Sequence, residues 1–347
     1  TTVNNYGEKR QPFKPEELRE FRHGEFERFF TRKLGNAFIN RQWILDLLLL
    51  KAVGQGENKR AQVILIKGDP GIGKSTLAAS IISNSFPNYK AEKKVESKRS
   101  SFSVLAYHVC MASNPDTLSP CRFVRNVANM LCQTVPRYAE LLKSDKDAGR
   151  SLEKSECERN PTAALQNGVL QQLSQLFPSE FKLQDHGTHI FFIDSLDEST
   201  LTDEKSSVAQ MLADPRVLEL LPPWLRIVAT TRRVPDVLEL FRARGPALVE
   251  IDAHDSNNTA DVQLYVENRL AASPALSAEL KKQQLTPAQI AESADGNFLV
   301  AEKLLDAVRD GLRISLESGV PLDLDDAYTL DFRARFPDYE SKDPQSE

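Results

Sequence analysis

The chain alternates short, continuous apolar runs with longer stretches in which apolar residues recur every three or four positions. The runs are rich in valine and isoleucine, and polar or glycine-containing sequence follows each one, as expected for buried strands. They lie at residues 63–66, 102–110, 190–193, 225–229 and 247–251. The amphipathic stretches predict helices. This alternation of strands and helices predicts an α/β protein.

Among the amphipathic stretches, residues 16–34 carry apolar residues at helical spacing between charges, with Gly24 as a weak point. Such a face usually docks on its own domain, and the alternative is that this helix binds a partner. Further helices are predicted at 122–138 and 160–176, the second opened by an Asn-Pro pair suited to a helix start. The charged run at 143–159 is interpreted as a surface excursion.

A glycine-rich stretch at residues 68–75 follows the first apolar run directly. It matches the spacing Gly-x-x-x-x-Gly-Lys-Ser, and a predicted helix begins immediately after it. Its residues, with the first residue of that helix, are Gly68, Asp69, Pro70, Gly71, Ile72, Gly73, Lys74, Ser75 and Thr76. A strand, this loop and a helix in succession favour a phosphate-binding loop over an ordinary glycine-rich turn.

The residue types of this loop suit a nucleoside polyphosphate. Glycines let consecutive backbone N–H groups curve round phosphate oxygens, where the helix N-terminus adds partial positive charge. Lys74 is expected to reach the β- and γ-phosphates, and the Ser75 hydroxyl is expected to bind Mg²⁺.

The apolar run at 190–193 ends in an acidic cluster. Open α/β sheets bind ligands at the carboxyl ends of their strands, so Asp194 is expected to hold Mg²⁺, directly or through water, opposite Ser75. Asp197 and Glu198 lie just beyond, where a carboxylate could orient or deprotonate an attacking water. Together with the glycine-rich loop, this stretch predicts a Walker B element.

Basic residues end the apolar run at 225–229. A cation at that strand edge can sense a γ-phosphate, because it gains most when the third phosphate is present. Arg232 is the predicted sensor and Arg233 the fallback. The alternative for either arginine is an ion pair with a structural carboxylate.

Four other residues have two interpretations each. In P-loop proteins, the segment that precedes the first strand often forms one side of the adenine pocket. Phe38, Ile39 and Arg41 are therefore candidate contacts to the base. Plain packing is the alternative for all three. His108 lies in the second predicted strand without a second ligand nearby, so we interpret it as packed or hydrogen-bonded rather than metal-binding.

Composition narrows the class of partner. The chain has 347 residues, of which 41% are hydrophobic and 27% charged, and its net charge is −5. This length suggests about two domains. The net negative charge gives no indication of a nucleic-acid partner. No apolar run approaches the roughly 20 residues that a membrane span needs. Because the chain begins at Thr1 rather than Met, we expect a segment of a longer protein.

The four cysteines are dispersed along the chain, without Cys-x-x-Cys pairs or histidines at ligand spacing. They are Cys110, Cys121, Cys132 and Cys157. We interpret them as buried thiols in a reducing compartment, which predicts a cytoplasmic location.

The order of these motifs resembles the NACHT/STAND class of signalling NTPases. The resemblance rests on residues 68–75, on the Walker B sequence at 191–198 with small Ser195 after Asp194, and on 227–232. Residues 106–114 with Phe123 and Val124, and residues 295–299, further resemble the NTPase segment of ankyrin-repeat scaffolds of the TANC kind.

The resemblance covers about residues 36–335. It implies a P-loop NTPase fold, a three-layer αβα arrangement around a five-stranded parallel sheet of order 5-1-4-3-2, with a C-terminal helical domain. The expected organisation is a lead-in with an amphipathic helix at 1–35, a nucleotide-binding domain at 36–256, a helical domain at 257–335 and a polar tail at 336–347. Helices are predicted within the helical domain at 259–270, 286–293 and 298–311.

The resemblance also implies ATP or ADP with Mg²⁺ as ligands. GTP stays open, because Asn40 replaces a frequent family glycine and residues 296–298 replace the Gly-x-Pro that many relatives offer to adenine. Three functions compete: a slowly hydrolysing switch, a constitutive enzyme such as a kinase, and a scaffold that holds a structural nucleotide. The switch predicts self-association or partner binding through segments outside this chain.

Overall fold

A five-stranded, all-parallel sheet forms the centre of the structure. The computed structural model describes residues 14–21, 24–35, 39–53, 61–86, 102–176, 188–202, 204–242, 245–316 and 321–335. The strands are β1 (Val63–Gly68), β2 (Phe102–Val109), β3 (Thr188–Asp194), β4 (Leu225–Thr231) and β5 (Ala247–Ile251). They lie in the order β2-β3-β4-β1-β5, which reads 5-1-4-3-2 from the β5 edge. The predicted α/β class and five-stranded parallel sheet are confirmed.

The burial of the strands explains why they are continuous apolar runs. Strand β4 is buried along its whole length, and β3 from its second residue onward. Both faces of these strands are therefore covered by helices, as is usual in parallel sheets. At the β5 edge, Val249 is buried but Leu248 is 42% exposed, so buried and exposed side chains alternate along this strand.

Along the chain, helices precede, connect and follow the five strands of the sheet. The α-helices up to β5 are α1 (Glu25–Leu34), α2 (Gln42–Val53), α3 (Lys74–Ser85), α4 (Pro120–Thr134), α5 (Pro136–Ser144), α6 (Lys146–Ser151), α7 (Lys154–Arg159), α8 (Pro161–Ala164), α9 (Gln171–Gln175), α10 (Val208–Ala213), α11 (Pro215–Glu219) and α12 (Pro235–Arg242). Short 3₁₀ turns lie at Pro15–Leu18, Pro115–Leu118 and Leu196–Leu201, and a π turn at Leu165–Leu170 joins α8 to α9.

Three predicted segments differ from the structure. The stretch 16–34 divides at Gly24, whose φ of 76° is left-handed, so only α1 is an α-helix there. The stretch 122–138 divides before Pro136, because proline disfavours helical backbone in the residue that precedes it. The interpretation of 143–159 as a surface excursion is wrong in part: most of its charges are exposed, but Ala148 on α6, Leu152 between the two helices and Cys157 on α7 are buried in the main core.

The residues after β5 form a second set of helices. They are α13 (Ser256–Ala271), α14 (Pro274–Lys282), α15 (Pro287–Ser293), α16 (Phe298–Arg309) and α17 (Leu324–Arg335). Their buried residues, such as Val266, Ile290 and Leu304, form a hydrophobic cluster separate from that of the sheet. The helices predicted at 259–270, 286–293 and 298–311 are present, whereas α14 and α17 were not predicted. The domain boundaries stay a prediction.

The four cysteines are free thiols, and three of them are buried. Burial raises the pKa of Cys110 well above its usual value and that of Cys132 to about 12, so both thiols are unreactive at neutral pH. Across the ranges described, the helices are all too short or too polar to cross a bilayer.

His108 is a packed, hydrogen-bonded residue of β2. It is fully buried, its Nε2 lies 2.8 Å from the Thr117 carbonyl oxygen, and the rings of Phe26 and Phe123 pack edge-on against it. Burial lowers the pKa of His108 to about 4, and the hydrogen bond to Thr117 opposes this only in part. In the described part of the chain, no group of three or more His, Cys, Asp or Glu side chains is placed to share a metal ion.

This histidine predicts acid sensitivity. Between pH about 6.5 and about 4 the unfolded chain binds a proton that folded His108 does not, so the free energy of unfolding falls as the pH is lowered. The contribution has a maximum slope of about 1.4 kcal/mol per pH unit. Urea unfolding of His108→Gln should show a shallower slope over this range, with exposed His254→Gln as the control. A wild-type slope in His108→Gln would contradict the assignment.

Candidate functional site

The glycine-rich loop curves round the N-terminus of α3. Gly71 and Gly73 have φ angles of 81° and 89°, which L side chains rarely adopt. A Cβ atom on Gly71 would also lie 2.4 Å from Asn297 Oδ1, so the close approach of α16 excludes any side chain there. Because α3 begins at Lys74, the loop places its amides at the positive end of a helix of 12 residues.

Lys74 folds back across the loop. Its Nζ donates hydrogen bonds to the carbonyl oxygens of Gly68, at 2.7 Å, and Asp69, at 2.9 Å. Burial lowers the pKa of Lys74, and the nearby carboxylates of Asp197 and Asp194 oppose that shift. The Lys74 ammonium group thus donates to two neutral carbonyl oxygens at the opening of the loop. An anion could take the place of these oxygens as its hydrogen-bond acceptor.

Asp194 ends β3 as a fully buried carboxylate. Its Oδ1 accepts a hydrogen bond of 2.6 Å from Thr230 Oγ1 on the neighbouring strand β4, while Oδ2 is buried without a hydrogen-bond partner among the residues described. Burial raises the pKa of Asp194, and the nearby hydroxyls of Thr230 and Ser75, with the charge of Lys74, oppose this rise. An orphaned buried carboxylate oxygen next to a serine hydroxyl suits a cation.

A tight turn carries two more acids to the same edge. Ser195 adopts a left-handed φ of 56°, and its N–H donates to Thr230 Oγ1 at 2.8 Å. The 3₁₀ turn that follows buries Asp197, whereas Glu198 stays partly accessible. Glu198 Oε2 accepts a hydrogen bond of 2.6 Å from the Ala112 N–H.

Asp197 holds Arg232 by two hydrogen bonds. Its Oδ1 accepts from the Arg232 N–H at 3.1 Å, and its Oδ2 accepts from Arg232 Nε at 2.6 Å. The bond to Asp197 raises the pKa of Arg232, whose side chain remains 46% exposed. Arg233, the fallback sensor, instead forms ion pairs with Asp69 at 3.3 Å and Glu250 at 3.4 Å. Both arginines therefore form ion pairs with carboxylates, as the alternative interpretation expected, and of the two only Arg232 binds the acidic turn.

The predicted base contacts have different surroundings. Phe38 lies outside the described residues. Ile39 is mostly buried and faces the site. Arg41 has a φ of 47°, and its Nη1 donates to the Ile72 carbonyl oxygen at 2.7 Å.

Arg41 also joins the loop to the helices that follow the sheet. Its Nη2 donates to Asn258 Oδ1, and its Nε lies 3.5 Å from Asp261 Oδ2. Burial lowers the pKa of Arg41 to about 10, and Asp261 opposes that shift. The side chain thus ties the inside of the loop to α13.

Sequence reasoning missed the part that Asn297 plays in the site. Its Nδ2 donates to the Pro70 carbonyl oxygen at 2.9 Å, while its Oδ1 caps α16 by accepting from Leu299 and Val300. The Leu299 N–H donates to the Gly71 carbonyl oxygen at 3.2 Å. An Asn before an apolar run is a helix-start signal, but nothing in the sequence shows which loop its amide contacts.

All these elements border one cavity of about 930 Å³. The predicted site residues that line it are Ile39, Arg41, Pro70, Gly71, Gly73, Lys74, Ser75, Thr76, Asp197, Glu198 and Arg232. Unpredicted lining residues come from α1, α13 and α16, and they include Lys33, Tyr265 and Phe298. Asp194 lies beneath the cavity rather than on its wall. The volume is ample for a nucleotide-sized ligand.

These features define an α/β protein whose all-parallel sheet carries a large, charged cavity at the carboxyl ends of its strands. A family model described as Nephrocystin 3, N-terminal, matches residues 40–232, more than half of the chain. The chain therefore belongs to the nephrocystin 3 N-terminal family. The match includes the glycine-rich loop, Asp194 and Arg232, whereas α1 and the helices from α13 onward lie outside it.

The buried carboxylate generates a stability prediction. Asp194→Asn removes a buried charge but keeps an oxygen that can accept the Thr230 hydrogen bond, so the ligand-free protein should be at least as stable as wild type. Its melting temperature should be unchanged or raised by up to about 3 °C. Calorimetric melting of Asp194→Asn tests this, with exposed Asp46→Asn as the matched control. A fall of several degrees specific to Asp194→Asn would show that its charge supports the fold.

Proposed function

We propose that the chain is the nucleotide-binding switch of a NACHT/STAND-type P-loop NTPase, which binds Mg·ATP and hydrolyses it slowly. One observation carries the proposal: a glycine loop at a helix N-terminus and its lysine line one cavity, and a buried, half-satisfied carboxylate lies behind that wall next to Ser75. The cation site that Asp194 offers and the anion site that the loop offers are complementary to a single magnesium nucleotide.

The residues present fit that ligand. Lys74 can exchange its two carbonyl partners for phosphate oxygens, which are stronger acceptors because they are charged. Ser75 and Asp194 would hold Mg²⁺, which commonly takes one or two protein oxygens and completes its shell with phosphate and water. The bound metal would neutralise charge on the phosphates.

The two acids after β3 support different roles. Asp197 is buried and occupied by Arg232, so it positions that arginine rather than reaching water. Glu198 is accessible from the cavity, and the Ala112 amide orients it through one oxygen. Glu198 is therefore the better candidate to orient or deprotonate an attacking water. Arg232 can contact a γ-phosphate from the position in which Asp197 holds it.

The switch behaviour is supported by the contacts between the loop and the later helices. Asn297, Leu299 and Arg41 all bond to backbone groups of residues 70–72. A ligand that reshapes this loop must therefore alter the packing of α13 and α16. The γ-phosphate shifts that equilibrium by the free energy of the contacts made only with triphosphate, for which Arg232 is the candidate.

The same contacts support one second candidate, a scaffold domain with a structural nucleotide. Helix α16 closes against the loop through two hydrogen bonds, so a nucleotide behind it would be enclosed. The proposal also includes the alternative that this chain is a relative of the class that uses GTP instead of ATP. Self-association or partner binding through segments outside this chain, the resemblance to TANC-like proteins and a cytoplasmic location are parts of the same proposal.

Lys74→Ala tests the phosphate assignment. Loss of the ammonium group should weaken binding of Mg·ATP and Mg·ADP at least about tenfold, because it removes a charge-assisted contact to phosphate. Titration calorimetry with ATP, ADP and GTP measures this, and Lys282→Ala, 76% exposed on α14, is the matched control. Unchanged affinity of Lys74→Ala for every nucleotide would overturn the proposal.

Glu198→Gln tests the hydrolytic role. It should keep ATP affinity within about twofold and lower turnover about a hundredfold or more, since it removes a base without removing a phosphate contact. Single-turnover phosphate release measures the rate, with exposed Glu204→Gln as the control.

Asp197→Asn should instead reduce the preference for ATP over ADP by releasing Arg232. Normal hydrolysis by both acid variants would show that neither residue acts on water.

A further inference from the structure

Helix α1 carries two cations into the cavity. Phe26, Phe30 and Leu34 on its inner side are buried in the main hydrophobic core. Arg32 and Lys33, on its last turn, line the same cavity as Lys74 and Glu198. The helix ends with its negative dipole end toward these cations, a favourable arrangement. The sequence pattern alone marked this helix as one that docks on its own domain or binds a partner, and gave no sign of a ligand-facing role.

The helix is held firmly enough to position side chains. Glu25 Oε1 accepts a hydrogen bond of 2.9 Å from Asn114 Nδ2, and Glu27 Oε1 accepts one of 3.1 Å from the Tyr107 hydroxyl. Upstream, the buried Arg125 guanidinium binds the Glu17 carbonyl oxygen and the Glu20 carboxylate. Helix α1 is therefore held against β2 and the loop after it without any ligand, and α4 holds the segment that precedes α1.

Neither of these two cations pairs with a carboxylate of a described residue, although Glu198 and Glu302 line the same cavity. Of the other arginines on its wall, Arg41, Arg232 and Arg269 each pair with a carboxylate, at Asp261, Asp197 and Asp306 respectively. Neither Arg32 nor Lys33 forms an ion pair with a described residue, and Lys33 only lies over the Phe29 ring, with Nζ 5.6 Å from its centre. Two exposed cations on one wall, neither paired with a carboxylate among the residues described, favour an anionic ligand.

The position of Lys33 indicates which part of a ligand it faces. Helix α1 packs against α3, the helix that begins with Lys74 and Ser75. Lys33 lines the same cavity as these two residues. Lys33 therefore lies on the side of the cavity that the glycine loop and α3 form, which is the phosphate end of the proposed site.

We propose that Arg32 and Lys33 contact the polyphosphate of the bound nucleotide, so that α1 forms an outer wall of the site and favours longer phosphate chains. This inference rests on the proposed function. It places part of the site in residues 25–34, which precede the family match at 40–232. Because α1 touches both the ligand and the core beside β2, it also gives the N-terminal part of the chain a way to respond to nucleotide.

The experiment compares single and double Arg32→Gln and Lys33→Gln variants with Arg28→Gln. Arg28 is an exposed cation of the same helix that does not line the cavity, so it controls for net charge. Competition titrations measure the affinities for Mg·ATP, Mg·ADP and AMP at low and moderate salt. Each cavity variant should weaken ATP binding about fivefold, with a smaller salt dependence, and change AMP binding less than twofold.

The outcomes separate this inference from the proposed function. If Lys74→Ala loses ATP while the Arg32 and Lys33 variants bind it like wild type, the role of α1 is wrong and the nucleotide site stands. Equal losses for ATP and AMP, or an equal loss in Arg28→Gln, would also overturn the inference. If the wild-type chain binds no nucleotide, both proposals fall.

Deuterium exchange gives an independent readout. The amides of α1 should become more protected with Mg·ATP than with AMP, because only the longer phosphate chain reaches Arg32 and Lys33. Lys33→Arg keeps the charge and should restore both affinity and protection relative to Lys33→Gln. Identical exchange of α1 with and without Mg·ATP would contradict the contact.

Discussion

The structure of this site depends on one costly feature, the buried carboxylate at the end of β3. Asp194 is removed from water, yet only one of its oxygens has a hydrogen-bond partner among the described residues. Thr230 supplies that bond from the neighbouring strand, and Ser75 lies close by at the start of α3. The parallel sheet brings three chain segments to this point, because β1 and β3 both pair with β4. A buried charge in that setting is stabilised best by a cation.

The glycine loop is linked to the later helices as closely as to the sheet. Arg41 holds it from within, and Asn297 and Leu299 hold it from α16. These bonds involve backbone carbonyls, so they depend on the shape of the loop rather than on its side chains. A change of loop shape therefore alters the contacts of α13 and α16, whose apolar residues belong to a separate hydrophobic cluster. Such coupling is what the proposed conformational switch requires.

The cavity extends beyond the segment that defines the family. The match at 40–232 contains the loop, the acidic turn and Arg232. The remaining walls come from α1 on one side and from α13 and α16 on the other. The matched segment thus supplies the groups suited to phosphate and metal, while the flanking helices enclose them and add the charges of Arg32, Lys33 and Arg269.

The sequence by itself determined the local features: five buried strands, the loop at 68–75 and the acids after β3, because runs of apolar residues, glycine spacing and chain order are local signals. It did not show that α6 and α7 enter the core, that Asp197 is occupied by Arg232, or that Asn297 bonds to the glycine loop. Those facts depend on contacts between residues far apart in the chain, such as the pairing of position 297 with position 70. Only the packing of helices on the sheet decides which of many exposed-looking polar residues meet, and so which of them form the site.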